Sequence, residues 1–151
     1  MADLAMPYYM TNKAWYTKDK NGKYHLTDKA PKKARDSFIA YWGSSDPRKR
    51  SMFYFLSNPE WYTVCLDIDK IKKYKGAFVL TEKAPPEAEW SLKEFRRNAG
   101  RNPRTGKWYF MTNRFWYTEN KDGDYVLTDE ATPAAKGSFL EYKVGLSGYF
   151  V

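Results

Sequence analysis

One pattern of aromatic and polar positions occurs three times along the chain. It begins at Tyr8, Tyr54 and Tyr109 with an aromatic pair and Met or Leu, followed by Thr or Ser, Asn, two variable positions and Trp-Tyr-Thr. Leu-Thr-Asp follows eleven residues after the first and third Trp, whereas the middle copy has Leu-Thr-Glu eight residues later. Because such a period marks one supersecondary unit, the sequence predicts three similar units.

Each copy continues into a segment with helical spacing. Counting from the Thr of Leu-Thr-Asp or Leu-Thr-Glu, Ala occurs three and seven positions on, Ser ten on, and large apolar residues eleven and fourteen on. These offsets follow one face of an α-helix. Prolines lie in or just before the first turn, where a missing N–H costs least. We expect the recurring Ser37, Ser91 and Ser138 on this face for their small size.

The segments before each helix are predicted to be strands. Asn21-Gly22 and Asp122-Gly123 are typical of two-residue type I′ hairpin turns, and the Thr-Asn piece before each Trp indicates another turn, fixed by the Asn. Each unit is therefore predicted as βββα, and the fold class as α+β, with three internal βββα repeats packed together. The three repeated Trp residues are expected in the core, and the middle insertion is expected to lengthen a hairpin.

The predicted organisation follows these units. Residues 1–43 form the first unit, 44–51 a basic link, 52–98 the second unit, 99–107 a second basic link, and 108–151 the third unit with its tail. The apolar end of the tail is expected to pack as a closing strand. Because a unit of about 40 residues buries too little surface to be stable alone, the three are expected to form one body.

The net charge is strongly positive and unevenly distributed. The chain has 26 Lys and Arg against 18 Asp and Glu, a net charge of +8. The excess lies in the first unit and the two links, whereas the third unit is acidic on balance. This asymmetry indicates one basic face directed at an anionic partner.

Enzyme chemistry has little support in the sequence. There is one His and one Cys, and Cys65 lies in an apolar context that predicts an inert thiol. No Cys/His spacing is typical of a metal site, and no Gly-rich loop is placed to hold phosphate. We therefore expect a non-enzymatic protein without a cofactor. The single Cys excludes an internal disulfide and favours a cytoplasmic location, and no apolar run reaches membrane length, so no membrane partner is expected.

The rhythm of strand, turn, strand and Ala-rich helix resembles in shape a known DNA-binding module, the three-stranded sheet plus helix of plant ethylene-response factors and phage integrase arms. That resemblance implies reading of the major groove by basic and aromatic residues on the open sheet face. In the first unit these residues are Lys13, Lys18, Lys23 and His25.

The leading hypothesis is a basic face that engages nucleic acid or a nucleoprotein. Beyond the four sheet residues, its candidates are Arg48, Lys49 and Arg50 in the first link, Lys70, Lys72, Lys73 and Lys75 in the insertion, and Arg96, Arg97, Arg101, Arg104 and Lys107 around the second link. Two alternatives stay open. The chain resembles the small, aromatic-rich, repeat-built proteins of phages and mobile elements. One role of such proteins is anti-CRISPR-like inhibition of a host RNA-guided nuclease. The other alternative is a protein–protein scaffold. The sequence does not fix the oligomeric state, and a monomer is compatible with it.

Overall fold

The computed structural model describes residues 6–146, and within that range the chain is an α+β protein with four α-helices and three two-stranded antiparallel sheets. The helices are α1 (Lys32–Trp42), α2 (Ile68–Tyr74), α3 (Pro86–Arg97) and α4 (Pro133–Leu146). The strands are β1 (Tyr16–Lys18), β2 (Tyr24–Leu26), β3 (Tyr62–Val64), β4 (Phe78–Leu80), β5 (Tyr117–Glu119) and β6 (Tyr125–Leu127). The predicted α+β class is confirmed. The predicted closing strand falls on residues 147–151, which lie outside the described range.

The three predicted pairs of antiparallel strands form, but the turns of the first and third hairpins differ from the prediction. In the first, Asp19 N–H donates to Lys23 O and Gly22 N–H to Asp19 O, and Gly22 has φ of +83° whereas Asn21 has none in the positive range. The type I′ prediction is therefore wrong. The Asp19 carboxylate accepts from the N–H groups of Asn21 and Lys23, which favours a longer turn with one left-handed Gly. Asn120 makes the equivalent two bonds in the third hairpin.

The prediction of a third strand in each sheet is wrong for residues 6–146, where each sheet has two strands. The segment before each Trp instead forms short 3₁₀ turns, at Tyr8–Thr11, Tyr54–Ser57 and Tyr109–Thr112. The Asn that follows each turn accepts, through its side chain, the N–H two residues on. These local bonds compete with a strand ladder and turn the chain tightly. The prediction that this Asn fixes a turn is confirmed.

The insertion of the middle unit forms α2 instead of a longer hairpin, so that prediction is wrong. Asp67 accepts from the N–H groups of Asp69 and Lys70 and begins the helix, as a favourable N-cap residue does. Ile71 is fully buried and faces the core. The residue that caps the carboxyl end of the helix is Lys75, whose φ is +57° and whose N–H donates to Ile71 O. Helix α2 packs against α4.

The middle unit lies at the centre of the molecule. Its buried Phe55, Phe78 and Phe95 form the main core, which also takes in Ala134 and Val144 of α4. Helix α3 packs against α1. The first and third units keep smaller cores around Tyr9 and Phe110, which are completely buried.

The repeated Ser residues have a role beyond small size. Ser37, Ser91 and Ser138 each accept a hydrogen bond from the backbone N–H of the buried aromatic residue of the preceding 3₁₀ turn, at 3.0–3.1 Å. The repeated Trp residues are half-buried and lie against the first Tyr of each copy, with ring centroids 5.2–5.3 Å apart. The expectation that these Trp residues lie in the core is therefore met only in part, because they pack against the three cores while staying partly exposed.

Candidate nucleic-acid interface

The two basic links meet along α3. A surface pocket of about 500 Å³ is lined by Arg50 of the first link and Met52 just after it, by Trp90 of α3, and by Pro103 and Arg104 of the second link. Segments that are separated by roughly a third of the sequence therefore border the same depression, as the hypothesis of a single basic face requires.

Arg50 is at the centre of this region. Its Nη1 donates to Trp42 O and Ser44 O at 3.1 and 2.9 Å, which satisfies carbonyl groups at the end of α1. Its guanidinium lies over the Trp90 ring, 4.8 Å from the centroid, a distance at which a cation is attracted to the ring face. Arg50 thus joins α1 to α3 and is a structural residue as well as a surface cation.

Aromatic side chains are exposed next to these cations. Tyr41 and Trp42, at the end of α1, are 50% and 43% exposed. They share a second pocket, of about 420 Å³, with Trp90, Lys93 and Arg97. Lys93 Nζ also donates to Ala40 O at 3.4 Å, so this cation is placed at the carboxyl end of α1.

We call this surface the aromatic–basic face. It consists of Tyr41, Trp42, Arg50, Trp90, Lys93, Arg97 and Arg104. Among the described residues that line the two pockets, the one carboxylate is that of Glu94, whose Oε2 lies 2.7 Å from Arg97 Nη1 in an ion pair without hydrogen-bond alignment. Arg104 is exposed and forms no ion pair within residues 6–146. The face therefore keeps a positive charge beside exposed rings.

Two further candidates in the first link are paired with acids. Arg48 Nη2 lies 2.9 Å from Asp46 Oδ2, and its hydrogen bonds hold the pKa of the Asp46 carboxyl below its usual range. Lys49 Nζ lies 3.7 Å from Glu87 Oε2, near the amino end of α3. Neither cation lines the two pockets, and both are partly neutralised.

The sheet candidates of the first unit lie on its hairpin and the turn before it. His25 Nε2 is 3.0 Å from Asp19 Oδ2, Lys18 Nζ lies over the Tyr24 ring, and Lys13 is exposed. Lys23 instead lines a cavity shared with Trp42 and Arg50. Because each sheet has two strands of three residues, the broad sheet implied by the resemblance is not formed.

Several candidates serve the fold or lie on another helix. Arg96 Nη2 donates to Phe78 O at 2.7 Å, and Arg101 Nε donates to Gly106 O at 3.1 Å. Lys107 is exposed within the same loop, and its carbonyl accepts from Asn102 N–H. The candidates of the insertion belong to α2 or to its end and line none of the pockets above. They are Lys70, Lys72, Lys73 and Lys75.

Sequence reasoning missed the aromatic half of the face. The sequence feature that could have identified these two Trp residues is that they differ from the other copies of the repeat. Arg96 and Lys143 occupy the position that matches Trp42, and Asp36 and Gly137 occupy the position that matches Trp90. A Trp found in one copy alone is not needed by the shared framework, so it is a candidate for function.

Residues 6–146 contain no group of three or more His, Cys, Asp or Glu side chains that could hold a metal ion. In the same range no helix combines the length and the apolar character needed to cross a bilayer. No protein-family model matches the chain, and neither the comparison with curated proteins nor that with solved structures found a match.

Proposed function

We propose that this protein binds nucleic acid, without catalysing a reaction, through the aromatic–basic face. The observation that carries the proposal is the alternation of exposed rings and cations on one surface built from α1, both links and α3. Lys and Arg neutralise phosphates and release condensed counterions. Exposed Tyr and Trp stack on bases, largely irrespective of sequence.

The face also differs from an ordinary solvated basic surface. Its cations surround rings, and Arg50 is fixed by two carbonyl acceptors and the Trp90 ring. A side chain that is already ordered loses little entropy when a ligand binds. Binding is accordingly assigned to this face and not to the narrow sheets or to α2.

Arg104→Glu tests the proposal with little risk to the fold, because this side chain is exposed and unpaired within the described chain. The matched control is Arg114→Glu, an exposed residue of the third unit that lines none of the three pockets. Each substitution lowers the net charge by two, from +8 to +6. Replacing Arg50 or Arg101 is less informative, because both hold backbone carbonyl groups.

The measurement is fluorescence anisotropy with labelled single- and double-stranded DNA and RNA across a salt series. Wild-type affinity should fall steeply with salt. Arg104→Glu should weaken binding about tenfold and reduce the salt slope by about one or more, whereas Arg114→Glu should have a much smaller effect. Equal effects of the two variants would refute the assignment of the face, and no binding of wild type at low salt would refute the function.

The alternative is recognition of a protein, such as a host RNA-guided nuclease, by an anti-CRISPR-like inhibitor from a phage or mobile element. The observation that favours it is the exposed acidic surface of the third unit, at Asp122, Asp124, Asp129 and Glu130, which could imitate phosphates. Retention of a purified nuclease without affinity for free nucleic acid would support this alternative. A scaffold that joins two proteins would use the same surfaces, and all these roles belong to a cytoplasmic protein.

A further inference from the structure

A cavity of about 640 Å³ lies between the turn of the first hairpin and the end of α1. Tyr24, Phe38 and Trp42 provide apolar walls, Ser45 lies at the link, and Lys23 and Arg50 add two cations. No carboxylate is among its described lining residues. The volume is in the range of sites that hold small ligands, about 300–1,000 Å³.

We propose that this cavity takes one unpaired nucleotide of a bound strand, a deepening that rests on the proposed function. The base lies against the aromatic wall, and the phosphate is attracted by Lys23 and Arg50. The rings of Tyr24 and Trp42 are 6.1 Å apart and already in contact, so the base packs on their open side and not between them. A planar aromatic group joined to an anion matches this combination of apolar walls and positive charge.

Two residues that line the cavity differ from the residues at the matching positions of the other two copies. At the position of Lys23 the third unit has Asp124, an opposite charge, and the middle unit has Ala77. At the position of Trp42 the other copies have a cation. Folding of the unit therefore requires neither residue, and the cavity is a specialisation of the first unit.

A second departure holds the Trp42 ring in position. The hydroxyl of Tyr9 accepts a hydrogen bond from Trp42 Nε1 at 2.8 Å, whereas the matching residues Phe55 and Phe110 have no hydroxyl. Burial raises the pKa of Tyr9 above its ordinary value, so the hydroxyl stays protonated at neutral pH. The indole is thus fixed while 43% of Trp42 remains exposed.

The cavity is continuous with the aromatic–basic face, because Trp42 and Arg50 also line the pocket beside Trp90 and Lys93. A strand that crosses the face can place one nucleotide in the cavity without leaving the cations. A base within a blunt duplex is stacked and paired, and extracting it costs a few kcal/mol. We therefore expect single-stranded ligands to gain affinity that duplex ligands do not.

The test compares Lys23→Glu with Lys20→Glu. Both residues are exposed in the same hairpin turn, and both substitutions lower the net charge equally, but Lys20 does not line the cavity. Lys23→Glu should weaken single-stranded binding about tenfold, because it replaces an attraction for the phosphate with a repulsion, and leave a blunt duplex no more affected than Lys20→Glu does. A second variant, Ser45→Trp, fills the cavity from an exposed position and should cause the same selective loss, with thermal unfolding verifying that each variant folds.

The outcomes separate the two proposals. If wild type binds single strands, yet Lys23→Glu behaves like Lys20→Glu and Ser45→Trp binds normally, the cavity proposal is overturned while nucleic-acid binding stands. Equal losses for single strands and blunt duplex also overturn it. If wild type binds no oligonucleotide at low salt, both proposals fail together.

Discussion

The helix serine that recurs in each copy forms a hydrogen bond with the preceding aromatic turn. The Ser91 hydroxyl accepts from Phe55 N–H at 3.0 Å and donates to Ser51 O at 2.8 Å, and Ser91 is completely buried. An unpaired buried N–H is costly, and the 3₁₀ turn Tyr54–Ser57 leaves this one without a backbone partner. The serine supplies the missing acceptor, which ties each aromatic turn to the following helix.

Ser91→Ala should therefore destabilise the fold. The substitution leaves the Phe55 N–H without an acceptor and the Ser51 carbonyl without this donor, at a cost of about 1–3 kcal/mol. Ser45→Ala is the control, because Ser45 is exposed and its replacement should change stability by less than about 0.5 kcal/mol. Urea denaturation measures both, and equal midpoints for the two variants would contradict the role given to the hydroxyl.

At the scale of elements, local chemistry decides where each piece begins and ends. The Ala and Pro positions of α1, α3 and α4 were predicted correctly, with Ala34, Ala88 and Ala135 completely buried. Helix α2 was missed because seven residues give too short a period to distinguish from alternation. The Asp67 cap and the spacing of Ile68 and Ile71 were its available signals.

Lys75 combines a positive charge with a strained backbone, so its substitution can show which of the two affects stability more. Its φ of +57° is a conformation in which a Cβ is unfavourable. Lys75→Gly should stabilise the protein by up to about 1 kcal/mol. Lys73→Gly removes the same charge from within α2 and should destabilise by about 1 kcal/mol. Thermal unfolding distinguishes them, and shifts of the same sign would show that charge, not backbone geometry, dominates.

At the scale of the whole molecule, Glu141 joins the third unit to the second. This residue of α4 is 4% exposed, and its Oε2 accepts from Ala77 N–H, just before β4, at 2.7 Å. A Cβ at Gly100 would lie 2.9 Å from Glu141 Oε1, so a glycine permits this close approach. Burial raises the pKa of Glu141 to about 7, against the opposing effects of the Ala77 hydrogen bond and Arg96.

This carboxyl should make stability depend on pH. The pKa of Glu141 is raised from 4.5 in the unfolded chain to about 7 in the folded state. Its contribution to the free energy of unfolding is therefore most favourable below pH 4.5 and is lost as pH rises through 7. The difference corresponds to about 3 kcal/mol.

Glu141→Gln keeps an acceptor for Ala77 and cannot ionise. It should unfold like wild type near pH 4.5 and be more stable at pH 8, by up to the same 3 kcal/mol. Glu130→Gln, at an exposed position, is the control and should leave the pH profile unchanged. Denaturant melts at pH 4.5, 6 and 8 make the comparison. A wild-type profile retained by Glu141→Gln would show that another group controls the transition.

Local and periodic features of this protein can be predicted from its residues alone. The Ala and Pro spacing specified three helices, the turn residues specified the first and third hairpins, and the repeated Asn specified a turn, because each depends on residues that are close in sequence. The aromatic turns before each Trp were mistaken for strands. The Thr or Ser hydroxyl that ends each turn donates to the carbonyl of its first Tyr, and such local bonds compete with strand pairing in a way that propensity does not weigh.

Tertiary structure alone decided the placement of the basic residues. The sequence showed that cations cluster in the links, but the path of the chain brings the links together at α3 and adds Trp42 and Trp90 between them. The same path commits Arg50, Arg96 and Arg101 to backbone carbonyl groups. Which cation is available to a ligand depends on the carbonyl groups that the folded backbone turns toward it, and the pattern of residue types does not contain that information.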